Sequence, residues 1–190
     1  MADIEELLEG AQGRAFSKLF ERRILFLKGP IEDTTADTLV AQMLALDADG
    51  DDDILLYINS PGGIISGLFA IYDTMQLLLA KVNTRCIGMA ASAAAVILAS
   101  GTGVRSATEN ARIMIHQPLG GARGTAKDIE IQAKNIVFLR ERLNEILSSR
   151  TGKTVEEVAS DTDRDFWLSA EEAATYGKHG LIDEVVHSTR

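Results

Sequence analysis

Residues 86–104 carry no charged side chain, and this run restricts the fold more than any other feature of the chain. Such a run belongs either inside protein or inside lipid, because on length alone it would span a bilayer. Ala, Gly, Ser and Thr dominate it, however, whereas membrane insertion is driven by Leu, Ile, Phe and Val. It therefore reads as protein interior, in which small side chains let neighbouring backbones approach closely.

The flanking sequence supplies layers around that interior. Ile24-Leu-Phe-Leu27 predicts a first strand, and the unbroken apolar run Ile54-Leu-Leu-Tyr-Ile58 predicts a strand covered on both faces, as in a parallel sheet. Residues 84–87 and 111–115 read as further strands. Between them, apolar residues recur at helical spacing: from Thr34 or Thr35 through Ala36, Leu39, Val40, Met43, Leu44 and Leu46, and again at Ile64, Leu68, Ile71, Met75 and Leu78. Residues 91–100 are apolar all round and predict a core helix. Residues 125–149 predict a long helix with Ile129, Ala133, Ile136, Leu143 and Leu147 inward. Thr154 with Glu157, and Ser169 with Glu172, have the spacing of capping boxes. Strands alternating with helices imply an α/β fold with parallel strands and right-handed crossover helices.

A chain of 190 residues with 46% hydrophobic and 25% charged side chains suits one globular domain. That domain is expected over residues 19–190, after a mobile N-terminal segment over 1–18. The net charge of −9 argues against nucleic-acid and anionic-membrane partners. The single cysteine, Cys86, forms no internal disulfide, and the acidic N-terminus lacks a secretory pattern, so the expected location is cytoplasmic.

Several motif-like stretches lack the chemistry they suggest. Thr151-Gly-Lys-Thr154 resembles the end of a phosphate loop, but its earlier glycine would fall at Leu147 within a helix; a helix end followed by a new cap is the better reading. Asp47, Asp49 and Asp51 lack the glycine and bidentate glutamate of a calcium loop. His116, His179 and His187 have no metal-ligand spacing, and no metal site is expected.

Two glycine-bearing turns close buried strands, Ser60-Pro-Gly-Gly63 and Gly88-Met-Ala-Ala-Ser92, at the strand ends where ligands bind in open α/β sheets. Ser92 then starts a helix among small residues that leave its hydroxyl accessible. His116 closes the next strand. Asp161, Asp163 and Asp165 follow downstream, any of them able to orient the imidazole in a Ser, His, Asp order. By residue type alone, a capping serine and a core histidine remain open alternatives.

Tyr57-Ile-Asn-Ser-Pro-Gly-Gly63, Ile71-Tyr-Asp-Thr-Met-Gln76, Gly88-Met-Ala-Ala-Ser92, Ile113-Met-Ile-His-Gln-Pro118 with Gly120-Gly121, and Asp161-Thr-Asp-Arg-Asp165 together resemble the ClpP family, the proteolytic subunits of Clp proteases. The resemblance implies the ClpP/crotonase-like fold with a protruding strand-helix handle. It also implies a serine endopeptidase with Ser92 as nucleophile, His116 as base, Asp165 as third member and the Gly63 and Ala93 amides as oxyanion hole. No cofactor is implied, ATP being used by a partner. Implied too are two stacked heptameric rings, of one subunit or mixed with a paralogue, fed with unfolded polypeptide by a Clp-family AAA+ ATPase. Gly120, Gly121 and Arg164 would lie at the contact between rings. Ser92-Ala-Ala-Ala-Val96 is similar to one of two actinobacterial paralogues.

The chain departs from the family at Thr108-Glu-Asn110, at two additional residues, Lys178-His179, and in its N-terminal segment. At the ATPase-docking groove Tyr57 is retained, but Leu55 and Ser106 stand where aromatic residues are usual. Two other readings are a catalytically silent ring subunit, which would lack the triad, and a crotonase-fold acyl-CoA enzyme, which would not need it.

Overall fold

The structure, a computed structural model, describes residues 13–118, 121 and 123–188. Residues 13–20 are helical (α1) and are followed by β1 (Ile24–Lys28), α2 (Asp33–Asp49), β2 (Ile54–Ser60), α3 (Ile65–Leu77), β3 (Val82–Ala91) and α4 (Ala93–Ala99). Then come β4 (Arg105–Thr108), β5 (Arg112–Ile115), α5 (Ala126–Thr151), α6 (Val155–Asp161), β6 (Phe166–Ser169), α7 (Ala170–Ala174) and β7 (Glu184–Val186). This is the expected α/β architecture, with a mostly parallel sheet and crossover helices.

The sheet runs β1-β2-β3-β4-β7, all parallel, and divides at β3. Thr84 to Cys86 pair with β4, whereas Met89 to Ala91 pair with β5, which in turn pairs antiparallel with β6. At the division stands Gly88, whose φ of 75° is one that glycine adopts without strain. Beside it the β2–β3 register shifts between Ile58 and Ser60. The second half of β3 thereby turns from β4 to β5 and starts the β3-β5-β6 branch of the sheet, with Ala90 still paired to Ser60 of β2.

Leu27, Ile54, Leu56, Ile58, Val82 and Cys86 are fully buried beneath Leu39 and Met43 of α2 and Leu68, Ile71 and Met75 of α3. Each such side chain contributes about 1.5–3 kcal/mol by leaving water. All seven residues of α4 are buried, so the centre of the uncharged run is interior, whereas Gly88, Thr102 and Val104 are exposed. That helix starts at Ala93, not Ala91, because Ala90 and Ala91 still pair with β5. β2 is not covered on both faces as expected: its burial alternates, leaving Leu55 and Tyr57 half-buried on the outer side. The α2 helix starts at Asp33 without a side-chain cap, and Ile64 precedes α3 rather than joining its buried face.

In α5 the inward set is shorter than the periodicity suggests. Leu143, Asn144, Ile146, Leu147 and Thr151 are buried, whereas Ile129 and Ala133 are exposed and Ile136 is half-buried. At 1.5 Å per residue the helix is about 39 Å long, and its first half has little of the domain against it. This is the helical part of the handle. Gly121 lies in no strand, and Gly120 lies outside the described residues.

β4 is polar, and β6 and β7, of four and three residues, are too short to show a period in the sequence. β4 and β7 are tied by Arg105, which is 8% exposed, ion-paired to Asp183, and donates to the carbonyls of His179 at 2.8 Å and Gly180 at 3.1 Å. The Lys178-His179 stretch is thus held to the body through its own backbone.

Candidate active site

Register brings three chain-distant residues together. Ser92 follows β3, whose Ala91 pairs with Met114 of β5, and His116 follows the end of β5. β6 runs antiparallel, with Phe166 opposite Ile115, so Asp165 just before β6 lies level with His116. The selection of Asp165 follows from that antiparallel pairing. Asp161 is engaged elsewhere, by Lys153 Nζ at 2.6 Å and by the Tyr176 hydroxyl at 2.7 Å. The Asp163 backbone and side chain both accept from Gln117.

His116 Nε2 lies 2.8 Å from Ser92 Oγ, and His116 Nδ1 lies 3.0 Å from Asp165 Oδ1. With the ring proton on Nδ1 donated to the carboxylate, Nε2 is the atom that accepts the Ser92 hydroxyl proton. The imidazole is largely buried, its side chain 12% exposed, whereas the Asp165 side chain is 62% exposed. The acid is thus the open end of the relay in the single chain.

Ser92 occupies a sharp strand-to-helix turn with φ 56° and ψ −125°, a conformation L-residues rarely adopt. Its own N–H donates to Met114 O at 2.8 Å, tying the turn to β5. Gly62 makes that turn possible on the other side. A Cβ there would stand 2.6 Å from Ala91 O, 2.8 Å from Ser92 Cβ and 2.9 Å from Ala93 N, and its φ is 90°. Gly63 forms an isolated bridge with Ile31 in which Ile31 N donates to Gly62 O and Ile64 N to Ile31 O. The bridge leaves the Gly63 N–H unused. Ala93 opens α4, so its N–H also has no intrahelical acceptor. Both residues line one cavity of about 290 Å³ together with Ser92 and His116.

Sequence reasoning missed the rest of that cavity. Its walls are apolar, from Ile65, Leu68, Val96, Met114, Leu143 and Leu147, and Asn144 lies among them. Nothing in the local pattern separates these residues from ordinary core.

The remaining described candidates make their side-chain contacts outside this cluster. The Arg164 side chain is 93% exposed and only 3.7 Å from its neighbour Asp163. Tyr57 stacks on Phe26 at 5.5 Å and lies under the Arg85 guanidinium. Ser106 is 1% exposed, its hydroxyl donating to Thr84 O and accepting from Arg85 Nε. It therefore presents almost no side-chain surface to a partner. The Thr151-Gly-Lys-Thr154 stretch is a left-handed helix end at Gly152 followed by a complete capping box at Thr154. Among the described residues no helix is long and apolar enough to cross a membrane.

A family model described as Clp protease matches residues 9–189. The match includes all the strands and the Ser92, His116 and Asp165 cluster, and the chain therefore belongs to the Clp protease family, whose activity is that of a peptidase.

Proposed function

We propose that this chain is a serine endopeptidase subunit in which Ser92 is the nucleophile, His116 the general base and Asp165 the residue that orients it. The observation that carries the reading is the continuous hydrogen-bonded relay from Asp165 through His116 to Ser92 at the mouth of an apolar cavity. His116 takes the hydroxyl proton as Ser92 Oγ attacks a peptide carbonyl. The Gly63 and Ala93 amides receive the developing oxyanion, an interaction worth about 3–4 kcal/mol per donor in such sites. His116 then protonates the leaving amine, and water, activated by the same imidazole, releases the acyl group. Every group in this sequence belongs to the chain, and no cofactor takes part.

The Clp protease family assembles with AAA+ ATPases, which supports a larger particle. In this reading the chain forms stacked rings, alone or with a paralogue, in the cytoplasm, receives unfolded polypeptide from such an ATPase, and has residues 1–18 at the axial opening. Two features support a partner surface: the exposed first half of α5 and the outer Tyr57 row of the sheet. Treatment with a fluorophosphonate probe, followed by peptide mass spectrometry, tests the chemistry. Attachment at Ser92, prevented in His116→Ala, is expected; labelling elsewhere, or none in a protein that cleaves peptides, overturns it.

A further inference from the structure

We propose that Gln117 is a positioning residue that holds residues 163–165 in place, so that the Asp165 carboxylate meets the imidazole of His116. This rests on the serine-peptidase reading of Ser92, His116 and Asp165.

The register of β5 with β6 brings Asp165 level with His116, but the ladder ends at the pair of Ile115 and Phe166. Continued pairing would set Gln117 opposite Arg164. Instead the Gln117 N–H donates to Thr162 O at 2.7 Å, so the segment that carries the acid has left the ladder. The two ends of that segment are fixed independently. Thr162 is 1% exposed, with its hydroxyl donating to Val158 O at 2.8 Å, and Phe166 begins β6. Between them the Arg164 side chain is 93% exposed. The Asp165 side chain is 62% exposed, and among the described residues its carboxylate has one hydrogen-bond partner, His116 Nδ1. Apart from that relay bond, the side chain that ties residues 163–165 to β5 is Gln117, whose Nε2 donates to Asp163 O at 2.9 Å and lies 3.3 Å from Asp163 Oδ1.

A carboxylate with one hydrogen bond and most of its surface in water has no packing to fix it, so its place is set by its backbone. The relay needs that place to within about 0.5 Å, and a misplacement of about 1 Å costs on the order of a hundredfold in rate. Gln117 follows His116 directly in the chain, so adjacent residues carry the base and grip the segment of the acid. Base and acid are thereby held in one frame. Pro118 restricts Gln117 to extended backbone, which fixes the direction in which its side chain leaves the chain.

The test is a double-mutant cycle in the assembled full-length protein, read with a fluorogenic peptide and with an activated ester that keeps slow variants measurable. Gln117→Met leaves the backbone bond to Thr162 and removes the side-chain donor. Its kcat is expected to fall by about ten- to a hundredfold with KM nearly unchanged. In Asp165→Asn the same substitution is expected to cost less than about twofold, because the group it positions is already gone. A merely structural role lowers activity by one factor in both backgrounds. That result, or wild-type kcat in Gln117→Met, overturns the role of Gln117 and leaves the triad standing. Analytical ultracentrifugation checks the particle; where Gln117→Met alters it, Gln117→Asn, too short to reach Asp163, is read in the same way, and loss of the particle in both variants also overturns the inference. Wild-type kcat/KM in Asp165→Asn overturns instead the relay on which it rests.

Discussion

Ser92 has one environment in which its hydroxyl is useful, the strained turn that sets Oγ against His116 Nε2. Ser92→Ala removes one oxygen from a small-residue turn, so peptide cleavage is expected to fall by roughly 10⁴-fold or more with the fold unchanged. His116→Ala should lose a comparable amount, whereas His179→Ala and His187→Ala should retain wild-type kcat/KM. His179 is held by its backbone beside Arg105, and His187 lies 3.5 Å from Glu109, both away from Ser92. Loss in either of the latter two would mean the wrong base. Gly62→Ala is the second test at this scale. Its Cβ would meet Ser92 Cβ and Ala93 N at under 3.0 Å in a positive-φ conformation. The strain is about 1–3 kcal/mol and falls on the proposed nucleophile, Ser92, and a proposed oxyanion donor, Ala93, so activity should fall far more than the thermal midpoint.

Among the elements, β4 and β7 depend on one buried cation. Arg105 is shared between Asp183 and the His179 and Gly180 carbonyls, and Arg105→Met leaves the two carbonyls unpaired and Asp183 with only the backbone N–H of residue 105, at 2.7 Å. Because the Asp183 side chain is 43% exposed, solvent screening keeps the cost below about 3–5 kcal/mol, that of a fully buried pair, and it is measurable by urea unfolding. Burial pushes the Asp183 carboxyl up, but the hydrogen bonds and charge of Arg105 outweigh it and hold the group below its ordinary range. A lowered folded-state value means that the ionised carboxylate stabilises the fold above its ordinary unfolded value, and that this contribution is lost as the pH falls through the lowered value. The difference in thermal midpoint between wild type and Asp183→Asn should therefore be full near neutrality and shrink in the acid range below about pH 4. A difference that grew on acidification would contradict the pairing.

At the scale of the whole molecule, what stands out is apolar surface with no partner among the described residues. Phe138 and Val137 of α5 are exposed, and the acid of the relay is open to solvent. With Arg164 one residue from Asp165, ring contact and relay geometry are expected to be linked. Arg164→Ala and Phe138→Asp should each shift the particle to smaller species in analytical ultracentrifugation and lower activity, with monomer stability within about 0.5 kcal/mol. An unchanged particle with unchanged activity would exclude both from assembly. The docking face yields a further prediction. Aromatic anchors carry much of the energy at such contacts, and here Leu55 is aliphatic, Ser106 is buried, and Tyr57 is stacked between Phe26 and Arg85. Degradation of a tagged folded substrate with an AAA+ partner should be slow for the homomeric particle and rise on adding a paralogous subunit. Rapid degradation by the homomer alone would remove the case for mixed rings.

Much of this was legible in residue order. The alternation of apolar runs with helical spacing determined a parallel α/β layer, and the small-residue run after Gly88 determined a tight turn at Ser92 leading into a buried helix. Both depend on local rules of side-chain size and periodicity, which act wherever the chain goes. Three things were decided only in three dimensions. The place of Asp165, rather than Asp161 or Asp163, beside His116 came from the antiparallel register of β5 with β6, a pairing between segments some fifty residues apart. The exposed half of α5 came from helix length exceeding the body it packs on, which periodicity alone does not report. Asn144 lines the cavity because the buried end of α5 packs on α4, which begins next to Ser92, and no local pattern distinguishes a polar residue facing a cavity from one facing solvent.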